Sequence, residues 1–574
     1  MSQILSSALQ SYKSGKYKKT LELLAPILHQ TSVSPEILLL AAQCHSKAGQ
    51  YGDAAGFYER AARHKHGAEA ILLQTLTARM RILAQDLEGA LPSARAAARS
   101  GVFNADAEQT WRRILRFTLS LPEIEHEQAA FLARLAANDP VFLSIEDPLD
   151  HISWCEDEAI NARITINPAT AFTEDSRRAR RGRPHAWNEK LRIGYLSNDY
   201  SDQHATMMLF QGVILAHDRE KYDVYHFCHT PAGVVSTDKG KRKLYPNIVP
   251  ISTEDDAAEK CIRKYNLDIL IDLKGHTKDT RIALINRGLA PVQVAYLGFP
   301  GSGVGIDCDY VISDPVVTPD GSRPFYHEKL CRLPECYQSN DNRFRALPAA
   351  ASRETLGLPE DRFVFASFNA IRKVTPETAR LWAQALKAVP GSLLWMMCEG
   401  ELARRNFTGF MEALGITPDR LLFTESVDHV THIARLQAAD LGLDTFPYNG
   451  HTTTSDKLWA GLPVVTKRGG NFASRVSESL LNALGVPELV AADADGFVAL
   501  CRDLASDRQR LAGLRRKIAA NRFTQPLFDT ERFTRHLERA YEMMAERGRA
   551  GLAPDHIDVP PLPPRGGSFQ PIEI

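Results

Sequence analysis

Residues 443–465, LDTFPYNGHTTTSDKLWAGLPVV, contain a strand, a turn, a helix and the start of another strand, in that order. The first strand ends at Asp444, and Asn449 and Gly450 mark the turn that follows. Four hydroxyl residues, 452–455, then open the helix. Short, continuous apolar strands that alternate with helices are typical of a parallel sheet covered on both faces. The stretch therefore predicts a Rossmann-like domain.

The start of this helix is a candidate site for a diphosphate. The first backbone N–H groups of a helix have no intrahelical acceptor, and the helix dipole is positive there. Thr452 and Thr453 lie at that end, and His451 adds a donor. Asp456, one turn further on, can accept hydrogen bonds from ribose hydroxyls. The local alternative is that Thr452 or Ser455 simply caps the helix.

The alternation of strands and helices covers two long segments of the chain. Residues 190–346 and 354–550 each predict a Rossmann-like domain, with ALPAAAS at 347–353 between them. Two such domains in tandem form a cleft that faces the carboxyl ends of their strands. Residues 551–574 are rich in Pro and Gly, so we expect them to lack regular structure.

Residues 1–140 predict only helices. Gly15 and Tyr17 recur 34 residues later as Gly49 and Tyr51, which is the period of tetratricopeptide repeats. The repeat pattern places this Gly and Tyr in the first helix of each pair. A short solenoid, in which each helix pair covers the apolar face of the next, is the expected structure. An irregular helical bundle is the alternative.

Residues 141–189 predict a connector, whose basic run Arg177–Arg183 we expect to be solvated. Lys+Arg and Asp+Glu both number 69, which gives no indication of a nucleic-acid partner or a membrane surface. The nine scattered cysteines favour free thiols in a reducing compartment. No apolar run approaches the ~20 residues of a membrane span, so we expect a cytoplasmic protein.

The motif NGHTT-x-x-D, followed by LWAGLPVVT, resembles the diphosphate- and ribose-binding segment of the O-GlcNAc transferase family. The similarity extends from Leu191 to about Glu542, and the N-terminal repeats match the architecture of that family. The resemblance implies a tetratricopeptide-like helical solenoid followed by a GT-B-type pair of Rossmann-like domains. It also implies UDP-N-acetylglucosamine as donor, inversion at the anomeric carbon, and no metal or other cofactor.

Lys373 lies in FASFNAIRKVTPETARLW, residues 365–382, between a strand and a helix capped by Thr375. A lysine there can neutralise a leaving diphosphate, as a divalent cation does in other transferases. Local features alone favour a solvated surface lysine. The resemblance instead aligns Lys373 with the essential phosphate-binding lysine of the family. Ala370 departs from the glutamine that the family often has.

His429, His432 and Arg435 have the spacing of one helix face. No carboxylate completes a metal site, and a guanidinium on that face disfavours a cation. The resemblance places this helix against the uridine, with Arg435 at the base and His432 nearby. His429 stands where the animal enzymes have a lysine, so its role is left open.

His204 follows the first strand of the first domain, in SNDYSDQHATMMLFQ. A histidine can remove a proton from an acceptor hydroxyl near neutral pH or hydrogen-bond a sugar. A lone loop histidine is more often inert, but the resemblance aligns His204 with the active-site histidine of the family. Asp199 and Asp202 are weaker candidate bases.

Four further residues are candidates for contact with the sugar or the acceptor. Pro300 and Gly301 lie in a glycine-rich turn, where the backbone can approach a ligand closely. His276 ends another strand of the first domain, although a capped, solvated histidine would look the same. Tyr448 precedes the NGHTT motif.

We therefore predict an inverting, metal-independent transferase that moves N-acetylglucosamine from its UDP donor to Ser or Thr hydroxyls of a polypeptide. The repeat arm is expected to bind that polypeptide, and assembly as a homodimer is left open. One alternative is a transferase of the same fold with another nucleotide sugar or a non-protein acceptor. The other is a peptide-binding scaffold without catalysis.

Overall fold

The computed structural model describes residues 2–30 and 32–569, and the chain divides into two compact units. One unit contains the first 146 residues together with Glu399–Phe410, and the other contains the rest. Met1, Thr31 and the end of the predicted tail, 570–574, lie outside the described residues. None of the helices that the structure describes combines the length and apolar character that a bilayer span requires.

The first unit contains eight consecutive helices, each packed on the next along the chain. This is the nearest-neighbour packing of a solenoid, and it confirms the predicted helical arm. The helices are α1 (Ser2–Lys13), α2 (Tyr17–Leu28), α3 (Pro35–Lys47), α4 (Tyr51–Ala62), α5 (Gly67–Leu83), α6 (Leu87–Ala98), α7 (Ala105–Phe117) and α8 (Leu121–Ala136).

The repeat pattern predicted the repeated Gly and Tyr in the first helix of each pair, but the structure places them elsewhere. Gly15 and Gly49 lie in the turns between paired helices, with φ of 72° and 74°, where a residue without Cβ is favoured. Tyr17 and Tyr51 begin the second helices, α2 and α4. The 34-residue period thus repeats a turn geometry.

The second unit begins at Asp147, within the predicted connector 141–189, and three short α-helices follow there. They are α9 (Pro148–Ile152), α10 (Glu158–Asn161) and α11 (Glu174–Arg181). The expectation that the basic run of α11 is solvated is wrong for two of its residues: Arg177 and Arg180 are only 6% and 2% exposed. Both guanidinium groups pair with Asp307, and Arg180 also pairs with Asp309. The run therefore fastens the connector to the first sheet.

The first Rossmann-like domain is built on parallel strands with intervening helices. Its elements are β1 (Leu191–Ser197), α12 (Ala205–Ala216), β2 (Tyr222–Cys228), α13 (Ala232–Val235), β3 (Ile248–Pro250), α14 (Asp255–Arg263), β4 (Ile269–Asp272), α15 (Ile282–Ile285), β5 (Val292–Ala295), β6 (Tyr310–Ser313) and β7 (Lys329–Arg332). Burial on both faces explains why the strands are continuously apolar.

The second domain has a six-stranded parallel sheet in the order β10-β9-β8-β11-β12-β13. Its elements are β8 (Val364–Ser367), α16 (Pro376–Ala388), β9 (Leu393–Met397), β10 (Leu421–Thr424), α18 (His429–Leu436), β11 (Leu441–Leu443), α19 (Thr452–Ala460), β12 (Val464–Lys467), α20 (Phe472–Ala483), β13 (Val490–Ala491), α21 (Ala494–Ser506) and α22 (Arg508–Asn521). Helix α17 (Glu401–Ala413) lies between β9 and β10 in the chain, and its residues up to Phe410 belong to the first unit. The predicted α+α/β class, with a helical arm and two Rossmann-like domains, is confirmed.

The last helix, α23 (Thr530–Arg549), does not pack in the second domain, to which the sequence assigned it. Its apolar face joins the core of the first sheet, where the Tyr541 and Tyr195 hydroxyls are 3.1 Å apart. Within the tail predicted to be irregular, β14 (Ile557–Asp558) pairs with β7 at the edge of the same eight-stranded sheet. The first domain is therefore completed by residues from the end of the chain.

The buried pairing of Arg180 yields a stability prediction. We expect Arg180→Ala to lower the free energy of unfolding by about 3–5 kcal/mol, because the buried carboxylates of Asp307 and Asp309 lose a partner. Arg178→Ala is the matched control on the same helix, since the Arg178 side chain is 75% exposed, and it should cost no more than about 0.5 kcal/mol. Equal losses in urea unfolding of the two variants would contradict the assignment.

Candidate active site

The predicted site residues follow the carboxyl ends of parallel strands in both sheets. His204 follows β1, Lys373 follows β8 and Tyr448 follows β11. Phe299, which follows β5 of the first sheet, packs against an apolar cluster that contains Tyr448 and Ile152. The carboxyl edges of the two sheets therefore meet, which is where α/β folds bind ligands.

Asp444, fully buried at the end of β11, shapes the turn that leads into α19. Its Oδ1 accepts hydrogen bonds from the backbone N–H groups of Thr445 and Gly450, at 2.9 and 2.7 Å. Its Oδ2 accepts one from the Thr466 hydroxyl at 2.7 Å. Three donors on one buried carboxylate fix the turn and orient the carbonyl of Asn449.

Helix α19 begins at Thr452, and no described side chain caps it. The alternative that Thr452 or Ser455 is the cap is therefore wrong. The Thr453 hydroxyl donates to Asn369 Oδ1, and the Thr454 hydroxyl lies 3.0 Å from Ser477 Oγ. The N–H groups of the first turn are thus left without a side-chain acceptor, as an anion site requires.

Lys373 ends a short 3-10 turn, Ile371–Lys373, and its ammonium is directed at the turn before α19. Nζ donates to the Asn449 carbonyl at 2.7 Å and lies 3.8 Å from the centroid of the Tyr448 ring. The side chain is buried, so the local expectation of a solvated surface lysine is wrong. Burial, together with the like charge of Arg372, holds the pKa of this ammonium well below its usual value.

His451 precedes α19 and lies against Tyr448, with 4.8 Å between ring centroids. Its Nε2 is 3.3 Å from the Ala473 carbonyl. Burial holds the pKa of His451 well below the usual value, and nearby Lys373 lowers it further. The neutral ring must place its proton on Nε2 to bond that carbonyl, which leaves Nδ1 as an acceptor. In this arrangement His451 does not offer the donor that the sequence suggested.

Helix α18 and Asp456 of α19 approach each other closely. His429 Nε2 lies 3.0 Å from Asp456 Oδ1, so the histidine whose role the sequence left open is a partner of the predicted ribose-binding carboxylate. The Asp456 side chain is buried, yet its pKa is lowered, because Arg345 and His429 outweigh desolvation. Arg345 did not stand out in the sequence, since it lies 111 positions before Asp456 in an irregular segment.

Arg435 is buried beneath His432 and does not project freely toward a base. Its Nε donates to His432 Nδ1 at 3.1 Å, and its Nη1 donates to the Glu425 carbonyl at 2.8 Å. Burial lowers the pKa of His432 to about 4, and it lowers that of Arg435 to about 10. Arg435 therefore orients His432, which is the outer of the two side chains.

His204 is the N-terminal cap of α12. Its Nδ1 accepts a hydrogen bond from the Thr206 N–H at 3.3 Å, and its Nε2 lies 3.4 Å from Asp199 Oδ1. Burial lowers the pKa of His204, although Asp199 opposes the shift. At neutral pH the ring is uncharged, and the bond to Nδ1 puts its proton on Nε2.

The two carboxylates considered as alternative bases are both engaged. Asp199 Oδ1 accepts from the Lys274 ammonium at 2.7 Å, and its Oδ2 accepts from the Thr206 hydroxyl at 3.0 Å. Asp202 is buried and accepts from the Lys239 N–H at 2.9 Å. Sequence reasoning missed Lys274, although it lies only two positions before the candidate residue His276.

His276 is buried and contacts Phe299 edge-on, with 5.0 Å between ring centroids. It is therefore not the solvated histidine of the local alternative. Burial lowers the pKa of His276 to about 4, and its Nε2 has no hydrogen-bond partner among the described residues. Pro300 and Gly301 line a narrow cavity together with connector residues such as Ile152.

Within the residues that the structure describes, no three His, Cys, Asp or Glu side chains form a group that could hold a metal ion. Positive groups beside the turn include the Lys373 ammonium and the start of α19.

The family model described as "Glycosyl transferase family 41" matches residues 148–347 and 338–537 of this chain. Together these segments cover well over half of its length.

Two curated plant proteins are similar to the chain. The Arabidopsis thaliana protein "Probable UDP-N-acetylglucosamine--peptide N-acetylglucosaminyltransferase SEC" is 35% identical over 380 residues, which is 65% of this chain and 39% of that protein. The Solanum lycopersicum protein of the same description, SPINDLY, is 32% identical over 63% of this chain and 40% of its own. The chain thus spans about 40% of the length of these relatives.

Among solved structures, a mutant O-GlcNAc transferase of Thermobaculum terrenum has a TM-score of 0.65 at 24% identity. The match covers 95% of this chain and 97% of that one. At this identity the similarity concerns the fold alone.

The buried ammonium of Lys373 yields a prediction on pH. A lysine whose pKa is lower in the folded than in the unfolded chain binds fewer protons when folded, so stability rises with pH between the two pKa values. Lys373→Met removes this contribution. We therefore expect the free energy of unfolding of the parent, relative to the variant, to increase as the pH is raised from 7 toward 10.

Urea unfolding at pH 7, 8.5 and 10 measures this difference, and exposed Lys387→Met on α16 is the matched control. If the parent and Lys373→Met differ in free energy of unfolding by the same amount at every pH, the Lys373 ammonium is not desolvated.

Proposed function

Because the chain belongs to glycosyl transferase family 41, we propose that it transfers N-acetylglucosamine from UDP-N-acetylglucosamine to Ser or Thr hydroxyls of a polypeptide. The names of the curated relatives support both the donor and the peptide acceptor. The observation that carries the proposal is the buried Lys373 ammonium beside the uncapped start of α19.

The diphosphate of the donor binds at the start of α19 in this proposal. The N–H groups of Thr452 and Thr453 donate to its oxygens, and Lys373 supplies the full positive charge. An anion that binds beside a desolvated ammonium stabilises its charged form. Binding of the nucleotide sugar and protonation of Lys373 therefore favour each other. Stabilisation of the leaving diphosphate then needs no divalent cation.

The uridine binds toward α18, where the outer edge of His432 faces the base. The ribose hydroxyls donate to Asp456. Its carboxylate is ionised in the folded protein, since its pKa is lowered, and it acts as an acceptor throughout the neutral range.

Transfer is a direct displacement with inversion. The acceptor oxygen forms a bond to the anomeric carbon while the bond from that carbon to the diphosphate oxygen breaks. The electron pair of the broken bond leaves with UDP, and the hydroxyl proton of the acceptor passes to a water molecule. Holding acceptor and donor in line provides most of the acceleration.

His204 is assigned to the sugar end of the site. With its proton on Nε2, the neutral ring donates a hydrogen bond to the sugar or the acceptor and so positions them. Acting as the base would require the ring to give up the Thr206 bond at Nδ1. The position of His204 after β1 separates it from the nucleotide, whose proposed contacts are all in the second domain.

A panel of nucleotide sugars tests the donor. We expect UDP-N-acetylglucosamine to label a mixture of unfolded polypeptides and to release UDP, with little loss in excess chelator, because Lys373 and the helix replace a metal. Lys373→Met is the inactive comparison. Preference for another donor would overturn the specificity, and a tenfold loss with chelator would overturn the metal-independent site.

His204→Ala separates chemistry from nucleotide binding. Loss of proton transfer or of sugar positioning should lower kcat by ~10²–10⁴, while the UDP dissociation constant stays close to that of the parent. His229→Ala, at the end of the neighbouring strand β2, is the control and should retain activity. A uniform loss of UDP binding would move His204 to the nucleotide, and an unchanged rate would remove it from the site.

A further inference from the structure

Residues 333–363 join β7 of the first sheet to β8 of the second, and this joining segment binds one side of α19. Ser455 Oγ donates to Asn340 Oδ1 at 2.6 Å and accepts from Arg345 Nη1 at 2.8 Å. One turn further along the helix, Trp459 Nε1 donates to the Ala346 carbonyl at 2.9 Å. The helix at the proposed donor site is therefore held by residues from outside the second domain.

Arg345 is the charged member of this contact, and it is only 6% exposed. Its guanidinium carbon lies 5.8 and 5.7 Å from the ring centroids of Trp459 and Phe528. Nε and Nη2 have no hydrogen-bond partner among the residues that the structure describes. A buried guanidinium with so few acceptors requires a nearby negative charge.

Asp456 provides that charge, since its Oδ1 lies 3.8 Å from Arg345 Nη2. The same oxygen lies 3.0 Å from His429 Nε2. Oδ2 accepts no hydrogen bond from any other described residue, and this oxygen is the one left for a ligand. Arg345 and His429, from different elements, thus both approach Oδ1 of Asp456 and leave Oδ2 available.

We propose that Arg345 is a positioning residue for donor binding, whose guanidinium keeps Asp456 ionised and holds Oδ1, so that Oδ2 accepts hydrogen bonds from the nucleotide ribose. The inference rests on the proposed function, in which Asp456 binds the ribose. It adds that the joining segment, and not the second domain alone, sets the charge of the nucleotide site.

Removing the guanidinium should change how binding depends on pH. Asp456 is faced by Arg345 from the joining segment, by His429 and His432 from α18, and by Lys457 on its own helix. Burial alone raises the pKa of a carboxyl, and an opposite charge lowers it by roughly one to three units. Without Arg345 the carboxylate therefore takes up a proton at higher pH, and UDP affinity falls as the pH is lowered.

The test is UDP titration by calorimetry between pH 5.0 and 7.5 with the parent, Arg345→Met, Arg345→Gln and Arg345→Lys. Methionine keeps the volume between Trp459 and Phe528 without the charge. We expect the affinity of the Met and Gln variants to fall between pH 7.5 and 5.0 by roughly two- to tenfold more than that of the parent, because a carboxyl pKa raised by about two to three units titrates within this range. Arg345→Lys should restore most of the parent profile.

Arg522→Met is the matched control, since Arg522 is also buried and also lies 5.7 Å from the Trp459 ring centroid. Its profile should run parallel to that of the parent. The double variant Arg345→Met/Asp456→Asn lacks the titrating carboxyl. The pH dependence of UDP affinity that Arg345→Met alone adds should therefore disappear.

Identical pH profiles for Arg345→Met and Arg522→Met would overturn the proposal. If neither the Met nor the Gln variant folds, Arg345 is a residue of the core and the proposal is also wrong. Failure of the parent itself to bind UDP would instead overturn the proposed function, before any variant is compared.

Discussion

The site depends on one buried carboxylate, that of Asp444. The chain between β11 and α19 forms a compact turn, because three donors on this carboxylate hold it. The turn directs the Asn449 carbonyl at Lys373 and begins α19 at Thr452 without a side-chain cap. An ammonium and a helix start thereby come together, although 79 residues separate them in the chain.

Several polar groups around the cleft are desolvated by the protein itself. Lys373, His451 and His432 all have lowered pKa values for which burial is the largest cause. Water must reorient around a charge that develops during a reaction, whereas these fixed groups already point toward it. They therefore stabilise that charge without a reorganisation cost. The same desolvation lowers the stability of the folded protein. Hydrogen bonds from Lys373 and His451 to backbone carbonyls offset part of that loss.

The sequence predicted the elements well where a pattern is local. The strand, turn and helix at 443–465 and the 34-residue repeat each depend on neighbouring residues, and both are present. Short strands such as Tyr310–Ser313 were missed, because four apolar residues among loops have no distinctive period. Burial of Lys373 was missed as well, since it is created by Asn449 and Tyr448, which lie more than 70 positions away. The pairing of Arg180 with Asp307 was hidden for the same reason.

The packing of α23 and β14 on the first sheet has a consequence for synthesis on the ribosome. A nascent chain emerges from its N-terminus, and domains generally fold as units once they are complete. The first domain begins at β1 but lacks one face of its core until residues beyond Thr530 have been translated. Its apolar surface must therefore stay uncovered, or be shielded by a chaperone, while the entire second domain is made. Although this domain precedes the second Rossmann-like domain in the sequence, it is completed after it.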